Sequence, residues 1–76
     1  MTPSEVLEAV HRAGATRRFV VSLHARLRLR ERRVQVADIA CALTSATTAI
    51  HQPDADTWRL EGGEDLDGDD LTVVVA

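Results

Sequence analysis

The stretch HARLRLRERR, residues 24–33, alternates leucine with arginine in its middle, a pattern typical of a half-buried β-strand. As a strand it would place four arginines on one face with only water between like charges. As a helix it consists mostly of good helix formers, namely leucine, alanine, arginine and glutamate. Ser22 can cap it, and the arginines of its last turn suit the negative end of the helix dipole. The stretch therefore predicts a helix.

Helical geometry gives this segment two apolar surfaces. At about 100° per residue, Leu23, Leu27 and Val34 form one stripe, and Ala25 and Leu29 form a patch on the far side.

The N-terminal segment predicts another helix. TPSE at residues 2–5 is a capping box, with Thr2 as the cap, proline in the first turn and Glu5 reaching back. Apolar residues then fall on one face, and Gly14 is a suitable end. RRFVV at 17–21 predicts a short strand.

The remaining segments predict a helix and a small sheet. A helix is expected over 36–46, although Gln35 before it is a poor cap. TTAIHQ (47–52) and TWRLEG (57–62) predict a hairpin around the turn at 53–56. DLDGDD contains an Asp-Gly turn, and LTVVVA (71–76) predicts a last strand that is covered on both faces. The sequence thus predicts one α+β domain, residues 1–76, with an N-terminal helix and a helix pair on an antiparallel sheet of three to four strands.

Charge is distributed unevenly along the chain. Residues 1–33 contain eight arginines and three acidic residues, whereas residues 34–76 contain one arginine and nine acidic residues. The chain has no lysine, and arginine is suited to bidentate binding of phosphate or carboxylate. Arginine usage in a GC-rich genome explains the same composition equally well.

Composition also limits the class of protein. One cysteine, Cys41, permits no intramolecular disulfide. No apolar run approaches about 20 residues, so a membrane span and a membrane partner are not expected, and we expect a soluble, cytoplasmic protein. His11, Cys41 and His51 lack metal-ligand spacing, and no nucleotide-phosphate loop is present, so neither a metal nor a cofactor is indicated.

A motif in this sequence resembles a family of small bacterial domains, often encoded beside antitoxins that carry an MqsA-type zinc finger. The family pattern is roughly S-x-H-A-x-x-R-hydrophobic-x-x-R followed by an aliphatic residue, a short helix, a hairpin and a G…DG…L.VVV ending. The matching residues here are Ser22, His24, Ala25, Arg28, Leu29, Arg32, Val34, Asp38, Ile39, Ala42, Leu43, Gly62, Asp67, Gly68, Leu71 and Val73 to Val75. Arg33 and Gln35 depart from the pattern, which commonly has glycine and serine or threonine there, and members commonly continue into one more strand.

This resemblance implies a compact domain similar to RelE- or MqsR-like toxins. It implies, by analogy, a ribonuclease that slows growth until an antitoxin binds it.

Metal-independent RNA cleavage needs a base for the 2′-hydroxyl, a cation for the phosphate and an acid for the leaving oxygen. His24, Arg28 and Arg32 stack at i, i+4 and i+8 and could supply the base and the cations, with Glu31 or a second histidine as the acid. The sequence favours a structural alternative, in which His24 hydrogen-bonds neighbouring backbone in the first turn of its helix and Arg28 and Arg32 pair with the acidic half of the chain.

His51, Trp58 and Arg59 form a second candidate group, for substrate binding. A loop over 53–56 would place His51 opposite Trp58, where the pair could stack on a base. A core position for Trp58 is favoured over stacking on a base. Arg59 faces the other side of the strand and could join a phosphate site.

Two functions from different classes therefore remain. The first is a toxin-type ribonuclease with RNA as substrate and an antitoxin as partner. The second is a non-catalytic interaction module that binds a partner protein, or forms a homodimer, through the C-terminal strand, because an apolar edge strand recruits another strand.

Overall fold

A computed structural model describes residues 2–76, and the side chain of His24 lies outside the described part. This part of the chain contains three helices followed by a three-stranded antiparallel sheet of order β1-β2-β3. The elements are α1 (Pro3–Thr16), α2 (Leu23–Arg32), α3 (Val36–Ser45), β1 (Thr48–Gln52), β2 (Thr57–Glu61) and β3 (Val73–Val75). The predicted α+β class is confirmed, and so is the helix over HARLRLRERR.

The start of α1 is the predicted capping box. Thr2 Oγ1 accepts a hydrogen bond from the Glu5 backbone N–H at 3.2 Å, and Glu5 Oε1 accepts one from the Thr2 N–H at 3.0 Å. The predicted end at Gly14 is wrong, because α1 continues to Thr16. Gly14 instead allows α1 to approach α3: a Cβ there would lie 2.7 Å from the carbonyl oxygen of Ala40.

The segment after α1 is not the predicted strand. Arg17 takes a left-handed conformation with φ 57°, and its N–H donates to the carbonyl oxygen of Ala13, which ends the helix. Residues 18–22 then run as an irregular connection to α2. Phe19 and Val21 are half-buried against the core, so their apolar character serves packing without a strand partner.

The sheet begins with the predicted hairpin. Residues 53–56 connect β1 to β2, and the register pairs Ala49 with Leu60 and His51 with Trp58. The inner face of this hairpin packs on α1, which itself packs on α3. The buried apolar cluster formed in this way comprises Val6, Val10, Ile39, Leu43, Ala46, Ala49 and Leu60.

The last strand is less covered than the sequence predicts. β3 pairs only with β2 within the described chain and lies at the edge of the sheet. The prediction that it is covered on both faces is wrong, because Val74 is 55% exposed on the outer face. Val73 and Val75 point inward and are half-buried.

Helix α2 contacts the other elements only sparsely. Ala25 and Leu29 are half-buried, whereas Leu23 and Leu27 are 75% and 52% exposed. Of the two apolar surfaces expected from helical geometry, the fold therefore covers the patch of Ala25 and Leu29 and leaves Leu23 and Leu27 of the stripe in solvent, whereas Val34 is half-buried.

Candidate nucleic-acid interface

Both ends of α2 are closed by local hydrogen bonds. At the start, Ser22 Oγ accepts from the Ala25 N–H at 3.2 Å. At the end, Arg33 is left-handed with φ 57°, and the N–H of Val34 donates to the carbonyl oxygen of Leu29 at 2.9 Å. This is the pattern of a Schellman motif, which also brings the side chains of Leu29 and Val34 to the same region. The helix is therefore well defined even though few contacts anchor it.

Arg28 and Arg32 lie one turn apart on α2, and both are exposed. Two residues along a helix correspond to about 200° of rotation, so Arg26 and Arg30 project from the other side. The backbone of His24 precedes Arg28 by one turn, in the first turn of the same helix. α2 thus presents two pairs of arginines in different directions.

The structural alternative for these arginines has no support in the described residues. The side-chain pairs found there join His51 Nε2 to Asp56 Oδ1 by a hydrogen bond at 3.2 Å, and Arg59 Nη2 to Glu61 Oε1 by an ion pair at 2.9 Å. Neither pair involves α2, so the arginines of this helix do not tie it to the acidic half of the chain. Their guanidinium groups are accessible to a ligand.

His51 and Trp58 lie opposite each other on the hairpin, as the sequence predicts. Their ring centroids are 4.9 Å apart and the rings are tilted by 41°. They border an open groove of about 460 Å³ between the sheet and α1, whose apolar wall includes Val6 and Val10. Trp58 is half-buried and packs against the core, so part of its ring stabilises the fold and part lines the groove.

Arg59 is directed away from this groove. It follows Trp58 in β2 and pairs with Val74 in the register, so its side chain lies on the outer face of the sheet. There its Nη2 donates to Glu61, while its Nε is buried without a hydrogen-bond partner among the described residues. The three residues predicted to bind substrate therefore do not form a single site.

A second groove, which the sequence did not reveal, lies beside α2. We call it the arginine-rimmed groove; it is open, has a volume of about 570 Å³ and is lined by Arg17, Phe19, Val20, Val21, Arg26, Leu29, Arg30, Val34, Gln35 and Val36. It shares no lining residue with the groove at Trp58. The apolar run at 19–21 is the only sequence signal for this groove, and its composition predicts a strand.

The sequence also gave no sign of the contact made by His11. Its Nε2 lies 2.7 Å from the carbonyl oxygen of Ala46, 35 residues away. A carbonyl oxygen can only accept, so Nε2 carries the proton in this contact. His11 thereby joins α1 to the end of α3 and is a structural residue.

The described residues contain no cluster of three or more histidine, cysteine or acidic side chains arranged to hold a metal ion. In the same part of the chain, no helix is long and apolar enough to cross a membrane. Comparison with protein families, curated proteins and solved structures finds no match for this chain.

Proposed function

We propose that this protein is a toxin-type, metal-independent ribonuclease that uses α2 as its RNA-binding face. The observation that carries the proposal is the exposure of Arg28 and Arg32 without a carboxylate partner among the described ion pairs. Guanidinium groups one helical turn apart can bind successive oxygens of an RNA backbone. The resemblance of the motif from Ser22 to Val34 to domains encoded beside antitoxins supports the same function.

In this proposal His24 is the general base. It accepts the proton of the 2′-hydroxyl, the 2′-oxygen attacks phosphorus, and the bond to the 5′-oxygen breaks to leave a 2′,3′-cyclic phosphate. Arg28 and Arg32 neutralise the charge that develops on the phosphoryl oxygens. Glu31, the carboxyl group of α2, or a second histidine donates the proton that the leaving 5′-oxygen takes up.

The groove at Trp58 would hold a different part of the same RNA. The accessible part of the indole ring beside His51 can stack on a base. Arg59 contributes to substrate binding only if Glu61 releases it, since the two side chains are paired on the other face of the sheet. An antitoxin would inhibit the protein by placing acidic groups over the arginines of α2.

Salt-dependent binding of a labelled RNA tests the phosphate role of α2. Each phosphate contact to a single strand contributes about 0.7 to the slope of log K against log salt. We expect a double variant, Arg28→Ala with Arg32→Ala, to reduce this slope by about 0.7 where both arginines contact the scissile phosphate and by about 1.4 where they contact two adjacent phosphates. The matched control is Arg26→Ala with Arg30→Ala, which removes the same charge from the other side of the helix. Equal slopes for the two double variants would contradict the proposed binding face.

The second candidate function is a non-catalytic interaction module that uses the sheet edge. The observation that favours it is the position of β3, which has one paired side within the described chain, with Val74 exposed. Lysine on an edge strand opposes pairing with another chain. If this module is correct, Val74→Lys abolishes self-association or partner binding measured by sedimentation velocity, and the purified protein leaves RNA intact.

A further inference from the structure

The acidic loop, residues 64–70, has a defined conformation. Asp65 Oδ1 accepts hydrogen bonds from the backbone N–H groups of Asp67 and Asp69, at 2.9 and 3.0 Å. The N–H of Leu66 donates to Asp38 Oδ1 at 3.1 Å, which attaches the loop to α3. Leu66 nevertheless remains 63% exposed. The loop therefore displays an apolar side chain between carboxylates.

The arginine-rimmed groove has the complementary composition. Its floor contains half-buried apolar side chains such as Phe19 and Leu29, and its rim carries Arg17, Arg26 and Arg30. An exposed apolar surface surrounded by charge commonly marks a site of protein association. A leucine flanked by carboxylates would bury its side chain on this floor and bring negative charge to the rim.

Within one copy of the chain, the acidic loop and the arginine-rimmed groove do not form ion pairs with each other among the described residues. No ion pair among the described residues joins the acidic loop to α2. The two surfaces are nevertheless neighbours: Asp38 Oδ2 accepts from the N–H of Gln35, which lines the groove, while Asp38 Oδ1 accepts from Leu66. Because the loop and the groove lie side by side, a two-fold arrangement can place each loop in the groove of the other copy.

We propose that two copies of this chain associate by inserting Leu66 of each into the arginine-rimmed groove of the other. Charge complementarity selects this occupant, since three arginines, Arg17, Arg26 and Arg30, line the groove and residues 64–70 contain five acidic residues. Direct pairing of two α2 helices through Leu23 and Leu27 is opposed by the arginines around them. Charged groups surround the proposed contact, so the association decreases as salt rises.

Sedimentation velocity on nucleic-acid-free protein tests the proposal, over a range of protein concentrations at low and at high salt. The loop variant combines Asp67→Arg with Asp69→Arg. The aspartate side chains that are replaced accept no hydrogen bond among the described residues. The groove variant combines Arg26→Glu with Arg30→Glu. We expect the wild type to associate at low salt, each variant alone to remain monomeric, and an equimolar mixture of the variants to associate again. Circular dichroism of each variant verifies the fold.

Two further variants distinguish this interface from the sheet edge. Leu66→Ser should abolish association, and Val74→Lys should leave it unchanged. A wild type that stays monomeric at low salt overturns the proposal, as does a mixture of folded charge-reversed variants that fails to associate. Association lost in Val74→Lys but retained in Leu66→Ser also overturns it. No RNA is present in this experiment, so these outcomes are independent of the proposed ribonuclease activity.

Discussion

Asp38 accepts a hydrogen bond from the backbone N–H of Leu66 at 3.1 Å, across 28 residues of sequence. The second oxygen of the same carboxylate accepts from the N–H of Gln35 at 2.8 Å, at the start of α3. The Asp38 side chain therefore caps the start of α3 and attaches the acidic loop to this helix. It also compensates for the poor capping ability of Gln35.

Replacement of Asp38 should affect both contacts. We expect Asp38→Ala to lower the free energy of unfolding by about 2 kcal/mol, because a helix cap and a loop anchor are lost together. Asp38→Asn retains an acceptor oxygen and should lose about half as much. Urea denaturation measures both values. Equal stability of Asp38→Ala and the wild type would show that the carboxylate does not anchor these segments.

Gly14 should not tolerate alanine, although alanine is the better helix former by about 1 kcal/mol. An added Cβ would lie 2.7 Å from the carbonyl oxygen of Ala40 and 2.9 Å from Leu43 Cβ, so α1 and α3 would have to separate. We expect Gly14→Ala to destabilise the protein by about 1–3 kcal/mol in thermal or urea unfolding. Ala15→Gly, at an exposed position of the same helix, measures the propensity effect alone. A stabilised Gly14→Ala variant would contradict the close approach of the helices.

Arg33 has a left-handed backbone conformation, and here, in contrast to position 14, we expect glycine and not a residue with a Cβ to tolerate the backbone without loss of stability. Left-handed backbone is unfavourable for residues with a Cβ, and β-branched residues tolerate it least. Arg33→Gly should therefore preserve or raise the thermal unfolding midpoint, whereas Arg33→Val should lower it, with a loss of about 1 kcal/mol. Similar midpoints for the two variants would indicate that α2 ends in another conformation.

Glu5 should make the contribution of the α1 capping box depend on pH. The hydrogen bond from the Thr2 backbone N–H, followed by that with the Thr2 side chain, lowers the pKa of Glu5 below its usual value. A carboxyl with a lowered folded-state pKa stabilises the protein above its unfolded-state pKa, and this contribution disappears as pH falls through the folded-state pKa. The stability difference between wild type and Glu5→Gln should thus shrink from pH 7 to pH 3 in urea denaturation. A difference that stays constant over this range would contradict a charged cap.

Local signals in the sequence were sufficient for most of the elements. The capping box at Thr2, the preference of 24–33 for helix and the hairpin around 53–56 each depend on residues close together in the chain. The pairing of His51 with Trp58 follows from the hairpin loop length. The strand expected at 17–21 is wrong because Arg17 ends α1, and Phe19 and Val21 pack on the core without a strand partner among the described residues.

The arrangement of the candidate site depended on contacts that are distant in sequence. Helical periodicity predicts two apolar surfaces on α2, but it does not predict which of them faces the core. That orientation determines whether Arg26 and Arg30 line a groove. The contact of Asp38 with Leu66 and that of His11 with Ala46 join segments 28 and 35 residues apart. Neither has a signature in the sequence.

Cleavage of an end-labelled RNA by the purified protein tests the proposed function most directly. The comparison includes His24→Ala, Arg28→Ala and, as a control from the other side of α2, Arg30→Ala, each verified as folded by circular dichroism. Our account predicts that the wild type and Arg30→Ala cleave the RNA to products with 2′,3′-cyclic phosphate ends, while His24→Ala and Arg28→Ala are inactive. Intact RNA with the wild type, or undiminished cleavage by His24→Ala, would contradict it.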